Sequence, residues 1–65
     1  MFITILNEDY EEVIINCDEI SEVKPYINNK FIKYSDEVQC LIIRKNGEVL
    51  PILNSFDYIK RVFKL

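Results

Sequence analysis

The stretch Cys40-Leu41-Ile42-Ile43-Arg44-Lys45-Asn46-Gly47-Glu48-Val49-Leu50-Pro51-Ile52-Leu53 decides the fold class. Its aliphatic run predicts a strand from Glu37 to Lys45, because such side chains fit a pleated, half-buried surface. Asn46-Gly47 follows, and both residue types tolerate positive φ, which makes the pair the strongest short-range hairpin signal. Glu48 to Leu53 is then the returning strand. Upstream, Phe2 to Leu6 reads as a strand ended by the turn-forming Asn7-Glu8-Asp9, with Tyr10 to Asn16 as its hairpin partner. Glu19 to Tyr26 alternates as a further strand, and Pro25 places its end on an edge, since proline has no N–H to give a ladder.

After Leu53 the period changes. Phe56, Ile59 and Phe63 stand at i, i+3 and i+7 with Val62 beside them, which is one face of a helix. Asn54 or Ser55 supplies the cap, Asp57 lies in the first turn, and Lys60, Arg61 and Lys64 load the C-terminal end, in accord with the helix dipole. Phe56, Ile59 and Phe63 are the expected buried face, so Phe63→Ala is expected to cost roughly 3–5 kcal/mol. Lys24 to Asp36 reads in two ways. Asn28-Asn29 turns a small hairpin between Tyr26-Ile27 and Phe31 to Ser35, which is the preferred reading, or Ile27, Phe31 and Tyr34 line a short helix. The expected architecture is one α+β domain over residues 1–65. It is a small antiparallel sheet of four or five strands, open or curled into a partial barrel, with one C-terminal α-helix.

Composition bounds the chemistry. The chain has 65 residues, one Gly, no His and two Cys. A single Gly excludes Gly-rich phosphate loops, and the lack of His removes the usual general base and the commonest zinc ligand. Glu8-Asp9-x-Glu11-Glu12 invites an acid/base or metal reading, yet so short a chain hardly builds a substrate cleft. A calcium loop would also need a glycine that is missing. No catalytic, cofactor or metal residue is therefore assigned. Cys17 and Cys40 lack C-x-x-C spacing and read as small buried hydrophobes. No apolar run approaches 18 residues, and Met1 to Leu6 lacks the basic region and cleavage site of a signal peptide, so a cytoplasmic protein is expected, with no membrane partner.

Charge divides the chain. Residues 1–23 hold Glu8, Asp9, Glu11, Glu12, Asp18, Glu19 and Glu22 and no Lys or Arg, a local charge of −7. Residues 24–65 carry all eight bases against Asp36, Glu37, Glu48 and Asp57, a local +4, which leaves the formal −3. The seven N-terminal carboxylates are the candidate partner-binding residues, set against the plainer reading that they are solvated turns. Lys24-Pro25-Tyr26 and Lys30-Phe31-Ile32-Lys33-Tyr34 interleave bases with aromatics, as single-strand binders do. The sequence pI of about 4.8 argues against direct nucleic-acid binding. Both faces of the strands carry aliphatics: Phe2, Thr4 and Leu6 oppose Ile3 and Ile5, and Leu41 and Ile43 oppose Cys40 and Ile42. One short helix cannot cover both, so a homodimer or an obligate partner is expected unless the sheet curls on itself.

Asn16-Cys17-Asp18-Glu19-Ile20-Ser21-Glu22-Val23 resembles the N-x-D-x-I-x-x-V segment of the small flagellar proteins of the FlbD/SwrD family. Val38 to Phe63 is similar to the same family in its order of strand, Asn-Gly, strand and terminal helix. Together the two stretches cover about half the chain. Lys24 to Asp36 departs from the pattern as an insertion, and the acidic turn lengthens the opening. The resemblance implies a cytoplasmic accessory protein that acts by contact, without cofactor or catalysis. The functional expectation is a non-enzymatic protein-interaction module that modulates a protein partner. The alternative is a phage-type acidic inhibitor, anti-CRISPR-like or DNA-mimic-like, that blocks a basic nucleic-acid-binding surface.

Overall fold

The computed structural model describes residues 1–27 and 34–63. In chain order the elements are β1 (Phe2–Leu6), β2 (Glu12–Asn16), a 3-10 turn (Cys17–Glu19), β3 (Ile20–Pro25), β4 (Cys40–Arg44), β5 (Val49–Ile52) and α1 (Phe56–Phe63). The class is α+β, with five antiparallel strands and a C-terminal helix among the described residues, as the sequence predicts. The strands are divided, however, into a two-stranded sheet β1-β2 and a three-stranded sheet in the order β3-β4-β5, and they do not close into a barrel. The division falls where the 3-10 turn carries the chain off β2 before β3 begins. Asn16 holds that turn, its side-chain oxygen accepting from Asp18 N–H at 3.1 Å.

Both hairpins turn through three residues, and one residue in each takes positive φ. Arg44 N–H donates to Glu48 O and Gly47 N–H to Arg44 O, each at 2.9 Å. Asn7 N–H donates to Glu11 O at 3.0 Å and Tyr10 N–H to Asn7 O at 3.1 Å. Gly47 stands at φ 91° and Tyr10 at φ 62°. Asn46 needs no positive φ; instead its side-chain oxygen accepts from Glu48 N–H at 2.9 Å. The left-handed position of the first hairpin is filled by a tyrosine, where glycine would be unstrained. That position also delays β2, which begins at Glu12 and not at Tyr10.

The two left-handed positions should respond in opposite directions. Gly47→Ala meets no atom within 4 Å, so its cost is conformational, about 1 kcal/mol. Tyr10→Gly should raise stability by on the order of 0.5–1 kcal/mol, as strain is released and some chain entropy is lost. Urea denaturation of the two variants checks the pair. A loss of stability in Tyr10→Gly would mean that the bond from its hydroxyl to Glu37 outweighs the strain.

β3 lies at a sheet edge, as Pro25 requires. Tyr26 N–H donates to Gln39 O at 2.9 Å, so in the alternating ladder Pro25 faces away from β4 and its missing N–H breaks no bond. β4 starts at Cys40, three residues later than its sequence suggests. Ser35 to Val38 form a turn in which Val38 N–H donates to Ser35 O and Glu37 N–H to Ser35 Oγ. The Asn28-Asn29 turn and the Phe31 strand or helix lie outside the described residues.

The core joins the two sheets through the helix. Ile3, Ile5 and Ile15 of the first sheet pack with Cys40, Ile42 and Ile52 of the second and with Ile59 of α1. Ser55 caps α1, its hydroxyl accepting from Tyr58 N–H at 3.1 Å. Asn54 does something else: its side-chain oxygen accepts from Leu6 N–H at 2.7 Å, while Leu53 N–H donates to Leu6 O at 2.8 Å. With the Asn7–Ile52 bridge, these bonds join the sheets. Cys40 is fully buried, and burial pushes its thiol above the usual value of 9.0. The folded chain then keeps this proton when the unfolded chain has lost it, so stability falls as pH rises past about 9. Urea midpoints measured between pH 8 and 10 should drop more steeply for the native chain than for Cys40→Ala.

Candidate functional site

The second face of the sheets is barest on the β1–β2 hairpin. On the three-stranded sheet Leu41 is buried and Ile43 half-buried, while Val49 beside Ile43 is 41% exposed. On the β1–β2 hairpin the pairs Phe2–Asn16, Thr4–Ile14 and Leu6–Glu12 point outward, opposite Ile3, Ile5 and Ile15. There Phe2 is 69% exposed, Ile14 is 70% exposed and Met1 is 62% exposed. Phe2 and Ile14 are diagonal neighbours across the two strands, close enough for a large side chain to bridge. This places a small apolar patch at the end of the hairpin remote from its turn.

The seven candidate carboxylates do not form one cluster. Glu8 and Asp9 lie in the hairpin turn, Glu11 and Glu12 at the entry to β2, Asp18 and Glu19 in the 3-10 turn, and Glu22 in β3. At about 3.4 Å per residue, β2 sets the first four roughly 15–20 Å from Asp18 and Glu19. Glu8 is half-buried and accepts from Ser35 N–H at 3.1 Å, and Glu11 accepts from the Asn7 side chain at 3.3 Å. Those two have a structural use, holding the turn against residues 34–37 and closing the Asn7 loop. Asp9, Glu12, Asp18, Glu19 and Glu22 are exposed. The ion pairs among the described residues join Arg44 to Glu48 and Lys60 to Asp57, and none involves the seven. Among the described residues no three carboxylates or thiols gather closely enough to hold a metal ion.

Notches on this surface are shallow. One of about 300 Å³ is lined by Asp18, Glu19, Arg44, Lys45 and Asn46, where acids and bases offset one another. Another, of about 160 Å³, lies between Cys17, Ile20, Val23 and Phe63. The aromatics of the basic segment are turned to packing: the Tyr26 and Tyr34 rings meet edge to face, 5.5 Å apart at 77°, and both are half-buried. Phe31 lies outside the described residues. No helix of the described residues is long and apolar enough to cross a membrane.

The exposed Phe2–Ile14 face was legible only as a surplus of aliphatics on both sides of the strands. Which strand would be left uncovered depends on where α1 docks. Comparison with protein-family models, curated proteins and solved structures finds no match. The resemblance to the small flagellar proteins therefore stands on its quoted residues alone.

Proposed function

We propose that the chain is a non-enzymatic protein-interaction module that modulates its partner by binding it through the β1–β2 hairpin. The observation that carries this reading is the outer face of that hairpin. Phe2 and Ile14 stand in solvent on a hairpin whose carboxylates form no ion pair with a described base. Exposed apolar side chains rimmed by polar ones are what contact surfaces look like before they are occupied. The resemblance to accessory proteins that act by contact points the same way.

A second reading has its own support. The absence of any base from residues 1–23 favours an acidic inhibitor that occupies a basic, nucleic-acid-binding surface. The two readings weigh the same hairpin differently, so paired variants separate them. A partner is first captured from the native host and identified by mass spectrometry. Its binding should then be lost in Phe2→Ser combined with Ile14→Ser, with the far-ultraviolet circular dichroism unchanged. Changing Glu8, Asp9, Glu11 and Glu12 to their amides should weaken it only modestly. The reverse ranking, with strong salt sensitivity, would give the inhibitor reading. Unchanged binding in both variants would remove the hairpin as the contact surface.

A further inference from the structure

We infer that the outer edge of β2 is a strand-addition site for an extended segment of a partner protein, β-branched in its middle and basic at both ends. The inference rests on the interaction-module reading and names the chemistry of the partner. Hydrogen-bond parity decides which groups face that edge. Antiparallel residues alternate between pairs that exchange both backbone bonds and pairs that exchange none. Cys17 N–H donates to Met1 O at 2.9 Å beyond one end of the hairpin, and Asn7 N–H to Glu11 O at 3.0 Å beyond the other. Ile3–Ile15 and Ile5–Val13 are therefore the bonded pairs. Phe2, Thr4 and Leu6 on β1, and Glu12, Ile14 and Asn16 on β2, turn their backbone groups away from the ladder.

On β1 the outward groups toward its turn end, those of Leu6 and the Thr4 carbonyl, are met. Leu6 bonds Asn54 and Leu53, and the Tyr58 hydroxyl reaches Thr4 O at 3.4 Å. On β2, no described residue meets the backbone groups of Glu12, Ile14 or Asn16. The free edge of β3 is defended by contrast. It carries Pro25 at an outward position and a register shift between Ile20 and Glu22, two devices that block further pairing. β2 has neither, and its central residue is a β-branched isoleucine standing mostly in solvent. An undefended edge offers main-chain bonds to any extended chain, with side-chain contacts left to set the choice.

Charge selects the occupant. Glu11 and Glu12 flank one end of the edge, and Asp18 and Glu19 lie just past the other. A second copy of this chain paired antiparallel about Ile14 would bring the turn-end acids Glu11 and Glu12 close to Asp18 and Glu19 of the copy at both ends of the pair. Like charges placed opposite one another destabilise a strand pair. A strand with lysines or arginines at both ends meets opposite charge instead.

The test uses a nine-residue peptide, acetylated and amidated, with Val and Thr alternating in the middle and two lysines at each end. Nuclear magnetic resonance of the full chain follows amide exchange. At peptide tenfold above its Kd, exchange of the Ile14 and Asn16 amides should slow about elevenfold, while Val13 and Ile15, already bonded to β1, change little. A version with glutamates in place of the lysines should not bind. Nor should one N-methylated on alternate residues of its pairing edge. Equal binding by either control, or changes confined to other elements, would overturn the inference, as would sedimentation of the free chain as a dimer broken by the peptide at this edge. If the partner still depends on Phe2 and Ile14 while the peptide leaves β2 untouched, the interaction module stands and strand addition falls.

Discussion

Ile59→Ala should remove about 2–5 kcal/mol of stability and lower the melting temperature by on the order of 10–30 °C. Ile59 is the one fully buried residue of α1, and it belongs to the core cluster that draws Ile3, Ile5 and Ile15 from one sheet and Cys40, Ile42 and Ile52 from the other. Truncation leaves a cavity in a cluster drawn from both sheets, so neither sheet can move in to fill it without losing contacts elsewhere. Small domains hold only a few kcal/mol in reserve, and the variant should be largely unfolded at 37 °C. Helical periodicity alone gives Phe56, Ile59 and Phe63 equal shares of the buried face. Burial ranks them: Phe56 and Phe63 are half-buried and pack against the rim of the core. Phe63→Ala should then cost less than Ile59→Ala, and well below the 3–5 kcal/mol expected from spacing. Circular dichroism melts of the two variants give the order directly. A milder Ile59→Ala would mean that the helix is not what closes the core.

Local chemistry carried most of the fold. Asn46-Gly47 announced its hairpin because a residue free to take positive φ was in place at Gly47. Pro25 announced an edge because a ladder needs every N–H that faces it. The period change after Leu53 announced the helix, and the serine hydroxyl at its start does cap it. Three features stayed hidden, each for a reason of distance or strain. Tyr10 fills a left-handed position against its own preference, so nothing in its type marks the residue. The split of five strands into two sheets depends on where the 3-10 turn sends the chain after Asn16. The seven acids look continuous along the sequence, yet the rise of β2 separates them, and Glu8 is drawn into the turn's own hydrogen bonding. What the candidate site offers beyond charge, the exposed Phe2–Ile14 face and the unpaired edge of β2, follows from long-range docking of residues 53–58 on β1.

Asn54→Ala should cost about 1–3 kcal/mol, more than the roughly 1 kcal/mol expected for Ser55→Ala, although sequence makes the two residues equal candidates for the helix cap. The difference lies in what each side chain leaves behind. Without its hydroxyl, Ser55 releases Tyr58 N–H in the first turn of the helix, where donors have no intrahelical partner in any case. Without its amide, Asn54 strands the part-buried Leu6 N–H, which has no other acceptor among the described residues. An unmet buried donor carries the full desolvation penalty. Asn54 also lies at the joint between the sheets, beside the bond from Leu53 N–H to Leu6 O and the Asn7–Ile52 bridge. Loosening it should speed amide exchange at Leu6 and Leu53 together while leaving the β4–β5 ladder protected. Asn54→Asp should keep much of the stability, since a carboxylate oxygen accepts the same bond. Urea denaturation and amide exchange on the three variants decide the matter. Equal losses in Asn54→Ala and Ser55→Ala, with no exchange at Leu6, would mean that the sheets are held by the isoleucine core alone.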